Sequence, residues 1–237
     1  MRRLTRAAAP LIVIATLLAG CVSTNSSAVI EQLQGRHDAA ARTKPFDSLV
    51  DLLPNRTYQA GDGPQWRYSS SVVVGHFTAV EAGRAYSAKD SPSGVEVPFD
   101  SPDAAWRTFH ATVKVDRVVA GRALKEGEQV GFSFGPDLSP DEVLNGLESL
   151  GTVLLFLDES SQVFSYAPEV LGTAWDGELV AQVDSEGNLT FPALQGDNEA
   201  PPFRVTSIDG LEAAARSPGE RITLDPTGAE VLSRKPV

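Results

Sequence analysis

One cysteine, one methionine and three histidines are all that this 237-residue chain offers of the softer metal-binding and redox-active side chains. A single Cys excludes an intramolecular disulfide, so a hydrophobic core has to supply the stability. There is no H-x-H, no HExxH and no paired-cysteine motif, so no metal site and no cofactor is expected. Lysine is scarce too: fifteen basic residues are Arg and five are Lys. With Ala, Gly, Val and Asp frequent, that is the bias of a GC-rich genome such as an actinobacterial one. Acids outnumber bases 31 to 20, giving a formal net charge of −11. A field of that sign repels polyanions and attracts cations and basic peptides, so no nucleic-acid partner is expected. The longest apolar run, residues 7–19, is thirteen residues or ~20 Å, too short for the ~30 Å hydrocarbon core of a bilayer.

That run belongs to something else. Arg2, Arg3 and Arg6 precede it and Leu18-Ala19-Gly20-Cys21 follows, which is the order of a secretory signal ending in a lipobox. Small residues at Ala19 and Gly20 let the chain lie extended in a peptidase cleft, and Cys21 can carry a thioether-linked lipid. The lone cysteine of the chain stands at that position. Arg2-Arg3 is also a twin arginine, but the flanking pattern of a Tat signal is missing, so general secretion is expected. Two acyl chains on Cys21, at ~0.8 kcal/mol per buried CH₂, suffice for stable anchoring, and many such proteins add a third on the amine. Cleavage removes three arginines and no acid, taking the net charge from −11 to −14. The expected location is the outer side of the cell membrane.

Residues 21–45 read as a flexible tether with one transient helical turn over 28–33, residues 46–225 as a single domain, and 226–237 as a disordered tail. Asp47 to Leu53, stopped by Pro54, predicts a short helix. Residues 71–80 and 106–119 predict strands, the second alternating Phe109, Ala111, Val113 and Val115 against His110, Thr112, Lys114 and Asp116. Residues 81–105 read as a long excursion rich in Pro and Gly. Residues 129–134 form another strand. Ser139-Pro140-Asp141-Glu142 is a helix start with a hydroxyl cap, Pro in the first turn and a capping-box Glu. Residues 152–157 are apolar at nearly every position, as in a strand buried on both faces. Strands over 162–166, 178–183 and 189–191 complete a meander, with 184–188 as a turn, and a short helix follows at 211–216. The fold class is mainly β: an OB-like or related antiparallel barrel with two or three short helices.

Over residues 70–160 this order of elements resembles netrin-like or TIMP-like domains built on an OB-type barrel. The resemblance is carried by the strand end Val115-Asp116-Arg117-Val118-Val119-Ala120-Gly121 and by Gly151-Thr152 followed by the buried run Val153–Leu157. The disulfide cysteines of that family are missing, and the amino-terminal cysteine with which some members chelate a protease zinc would here be lipidated. The resemblance therefore implies the fold and a binding face on the barrel and its loops, not protease inhibition.

Three chemistries can be weighed. Gly131-Phe132-Ser133-Phe134-Gly135 fits G-x-S-x-G, but Pro136 stands where the elbow needs a helix, and all three histidines lie upstream; a strand with its phenylalanines inward explains the pattern better. His76 and His110, with Asp116, are candidates for a metal site but lack any ligand spacing, and Asp184 to Asn188 lacks the order of a calcium loop and reads better as a hairpin turn. Trp66, Tyr68, Trp106 and Trp175 are candidates for an aromatic platform, with Trp66 and Trp175, in polar, Gly-flanked loops, as the expected ligand-binding pair. No catalytic residue is assigned. The expectation is a lipid-anchored, extracytoplasmic binding or interaction module whose partner is an envelope protein or a basic ligand, with an envelope hydrolase or metal-dependent enzyme as the alternative.

Overall fold

The computed structural model describes residues 25–34, 48–88, 94–159, 169–173, 179–194 and 207–237. In chain order these form α1 (Asn25–Gln34), β1 (Arg56–Ala60), β2 (Gln65–Trp66), β3 (Ser71–Ser87), β4 (Val95–Val97), β5 (Trp106–Gly121), β6 (Gln129–Phe134), α2 (Pro140–Glu148), β7 (Val153–Asp158), β8 (Leu171–Thr173), β9 (Val180–Val183), β10 (Leu189–Thr190), α3 (Ile208–Ala215), β11 (Glu220–Leu224) and β12 (Val231–Pro236). Among the described residues no helix is long and apolar enough to cross a membrane.

Strands β3, β5, β6, β8 and β7 pair in that order, and β7 returns to pair with β3, closing a five-stranded barrel. Within the barrel only the β6–β8 contact is parallel. Numbered along the chain, the barrel order is 1-2-3-5-4-1 with α2 between the third and fourth strands, the connectivity of an OB-type barrel. Closure needs strongly coiled strands, and β3 and β5 obtain the coil from four register shifts. At one of them Gly75 lies so close to β5 that a Cβ would sit 2.3 Å from the Lys114 carbonyl oxygen, so no larger residue fits.

The alternation expected of β5 holds: Phe109, Ala111 and Val113 fill the barrel with Phe77, Val130, Phe132 and Leu155, while Lys114 and Asp116 face solvent. Strand β7 is buried at every position. Val153, Leu155 and Leu157 point into the barrel, and Leu154 and Phe156 point outward into a second core under Leu49, Leu52, Leu179, Phe191 and Leu211. Helix α2 carries the expected capping box, Ser139 Oγ accepting from the Glu142 amide and the Glu142 carboxylate accepting from the Ser139 amide at 2.8 Å.

Several expectations are corrected. The helix expected at 47–53 is a single 3-10 turn, Leu49–Leu52, capped by Ser48. The excursion begins later than residue 81, because β3 continues to Ser87, paired with β5. The expected strand at 162–166 lies outside the described residues. Within the stretch read as tether, residues 25–34 form α1, whose Val29 and Leu33 are fully buried in the barrel core. Gly146 on α2 admits Val29 so closely that a Cβ there would meet it at 2.4 Å, and Gln32 Oε1 accepts the Gly135 amide at 2.8 Å. Helical periodicity over ten residues is short, and it is the core contact that holds this helix.

The stretch read as a disordered tail is likewise structured. Strand β11 pairs parallel with β1 and antiparallel with β12, building a four-stranded sheet in the order β12-β11-β1-β2 beside the barrel. Its apolar face is small, Tyr58, Ile222 and Leu224. Charge completes it: Arg234 donates to both carboxylate oxygens of the buried Asp51 at 2.6 and 3.0 Å, and lies 3.6 Å from Glu220, itself 3.3 Å from Arg56. The Asp51 backbone carbonyl accepts the Tyr58 hydroxyl at 2.6 Å. Burial, with Asp51 nearby, pushes the Tyr58 phenol far above its ordinary range, so it stays a donor.

Candidate functional site

The barrel has two unlike mouths. Helix α2 bridges the end of β6 to the start of β7, and α1 lies on it, so the two helices plug that mouth with Val29, Leu33, Val143 and Leu147. The opposite mouth is where β5 ends, β6 begins and β7 leaves at Asp158. There the four-stranded sheet abuts the barrel, and between them lies a cleft of about 530 Å³. It is lined by Thr57 from β1, Gln65 and Trp66 from β2, Arg67 and Ser70 from the link to β3, and Asp158 and Glu159 from the exit of β7.

Each part is held. Strand β2 folds back on β1, placing Trp66 opposite Tyr58 and Gln65 opposite Gln59, and Gln59 Nε2 donates to the Gly63 carbonyl to fix the turn. The Trp66 ring stacks on Tyr58 at 6.0 Å between centroids, and Tyr68 meets Tyr58 edge-on at 4.9 Å. Burial raises the Tyr68 phenol, with a hydrogen bond from Trp66 opposing the shift. The Ser70 amide donates to the Leu157 carbonyl at 2.7 Å, so the link and the exit of β7 are joined across the floor. Gly121, at φ +75°, allows the end of β5 to approach; a Cβ there would lie 2.1 Å from the Ser70 carbonyl oxygen.

The electrostatics are uneven. Arg122 binds the Glu128 carboxylate in a bidentate pair at 2.7 Å and also ion-pairs Glu159. Arg122 holds the Glu128 carboxyl below its usual range. Asp158 is buried at the foot of the cleft, Trp66 is half-buried, and Gln65 and Arg67 are exposed on the rim. Strand β2 ends its sheet, so only one of its two backbone edges is paired with a strand among the described residues.

Of the sequence candidates, Trp66 lines this cleft, on a strand and not in a loop, and Tyr68 packs behind it. Trp106 lies elsewhere, stacked on Tyr86 at 5.7 Å. Trp175, the lipobox residues Leu18, Ala19 and Gly20, and Cys21 are outside the described residues. Ser133 faces Thr108 across the β5–β6 pairing, and His110 faces Gly131 two positions on. His76 and His110 do not converge: along β3 their levels are His76 and Glu81, five residues or about 16 Å apart. His76 Nδ1 instead meets Asp116 Oδ2 at 3.2 Å on the surface. His110 is tucked against Gly83 with Nε2 buried and 3.9 Å from Glu169 Oε1, and burial lowers its pKa against the pull of Glu169. No group of three or more His, Cys, Asp or Glu able to hold a metal occurs among the described residues.

Thr57, Gln65, Arg67, Ser70, Asp158 and Glu159 were not singled out by sequence. The available signal was Asp158-Glu159 closing an otherwise apolar strand, a placement that leaves two acids at a barrel mouth. No family model, no curated protein and no solved structure matched this chain in the comparisons made.

Proposed function

We propose that this chain is a lipid-anchored, extracytoplasmic binding module of the cell envelope, held by acyl chains on Cys21, whose cleft takes a basic peptide segment of a partner protein. The observation that carries the reading is the cleft itself, where an indole stands beside two carboxylates at the edge of a sheet. A Lys or Arg side chain over the Trp66 face gains a cation–π contact and can reach Asp158 and Glu159. The edge of β2 that is paired with no strand among the described residues offers backbone groups to an extended segment, and Gln65, Thr57 and Ser70 add hydrogen-bond partners. The net charge of −11, and of −14 after signal cleavage, steers such a segment towards the protein. Arg67 on the rim opposes it and sets a limit on how much positive charge is accepted.

Fluorescence polarisation of a labelled Lys/Arg-alternating peptide against the mature protein tests this, with a Glu/Asp-alternating peptide as control. Trp66→Leu should weaken binding at least tenfold, about 1.4 kcal/mol, and Arg67→Gln should tighten it about threefold. Equal affinity for the acidic and basic peptides, or indifference to both substitutions, removes the reading.

A further inference from the structure

We infer that the plugged mouth of the barrel, formed by α1 and α2, lies against the lipid surface, and that the cleft at the opposite mouth is presented away from it. This rests on the anchoring of Cys21 proposed above. Helix α1 begins at Asn25 and is locked into the core by Val29 and Leu33. Only three residues stand between Cys21 and α1. The four steps from Cys21 to Asn25 reach ~14 Å at full extension. The cleft is farther than that. The six residues of β7 measure ~20 Å along the strand, ~15 Å along a barrel axis after tilt, and the helices over the plugged mouth add ~10 Å. A lipid on Cys21 therefore reaches the α1–α2 mouth and falls ~10 Å short of the cleft. The partner segment must then arrive from the wall side and not from within the bilayer.

The surface chemistry of the plugged mouth does not itself attract an anionic surface, so the contact rests on the short tether. Glu31 on α1 and Asp141 and Glu148 on α2 are exposed. Anionic headgroups repel these acids, so the acyl chains alone hold that end down.

The test uses mature protein isolated from membranes and bound to phosphatidylcholine vesicles carrying a nitroxide-headgroup lipid. Because the thiol of Cys21 is consumed by the thioether, an introduced cysteine is the one labelling site. Bimane on Glu148→Cys, at the plugged mouth, should be quenched at least threefold more strongly than bimane on Glu126→Cys, in the β5–β6 turn beside the cleft. A twelve-residue Gly/Ser insertion after Thr24 should erase the contrast. Equal or reversed quenching in vesicle-bound protein overturns the orientation, as does a contrast that survives the insertion. Protein that lacks the acyl mass at Cys21 and stays in the supernatant overturns the anchoring, and the orientation with it.

Discussion

Removing the Arg234 guanidinium, as Arg234→Ala, should loosen the four-stranded sheet that forms one wall of the cleft. Asp51 is 4% exposed, so its carboxylate would be left in a poorly hydrated place without its bidentate partner. Breaking a fully buried ion pair costs about 3–5 kcal/mol. Arg234 keeps 31% of its side chain in water, which lets solvent reach the vacated site and lowers the expectation to about 2–3 kcal/mol. At about 2–4 °C per kcal/mol for a chain of this size, that is a Tm decrease of about 4–12 °C. Urea unfolding of the mature protein, followed by circular dichroism, measures the first quantity. Hydrogen exchange over residues 220–236 shows whether the loss is local to β11 and β12. The double variant Asp51→Ala/Arg234→Ala should lose less than the sum of the single variants by about 1 kcal/mol or more, because the buried carboxylate is removed together with the guanidinium that pairs with it. A loss under about 0.5 kcal/mol for Arg234→Ala, or strict additivity in the double variant, would show that Arg234 does not stabilise the buried Asp51 carboxylate.

Gly146→Ala should destabilise by about 1–2 kcal/mol despite the better helix propensity of Ala, since the new Cβ drives into Val29; Val29→Ala in the same chain should restore most of the loss, and a gain in stability would contradict the docking of α1. Ser139→Ala should cost about 1 kcal/mol through loss of the capping box, read by urea titration, while Ser139→Asp should cost much less. For His110 the folded pKa is lowered by burial, so the unfolded chain binds the proton more readily; stability from this group is fully present above the unfolded pKa near 6.5 and is lost as pH falls below it. His110→Gln should flatten the stability profile between pH 7 and 5, and an unchanged slope would show that His110 is not its source.

The barrel was legible because its determinants are local. Phe109, Ala111 and Val113 alternate against His110, Thr112 and Lys114, and Val153 to Leu157 is apolar on both faces, so each strand declares which sides are buried. Ser139-Pro140-Asp141-Glu142 likewise contains its own helix start. The four-stranded sheet was not legible, because Arg56–Ala60 and Glu220–Leu224 become strands by pairing with each other across about 160 residues of sequence. Neither segment has enough apolar alternation alone, and the Asp51–Arg234 pair that secures them joins positions 183 apart. Helix α1 was legible only as a transient turn over 28–33 for a related reason: Asn25–Gln34 carries two core residues, Val29 and Leu33, and needs Gly146 on another helix to receive them. The candidate site shows the same division. Trp66 was found by residue type, but its setting is assembled from three separate stretches of chain, at 57, 65–70 and 158–159, which only the closed barrel brings together.

The most direct test of the cleft is hydrogen exchange of the mature protein with and without the Lys/Arg-alternating peptide. Binding in the cleft should slow exchange over residues 56–70 and 154–159 alone, with the amides of α1 and α2 unchanged. Protection concentrated on α1 and α2, or none at peptide concentrations that saturate polarisation, would contradict it.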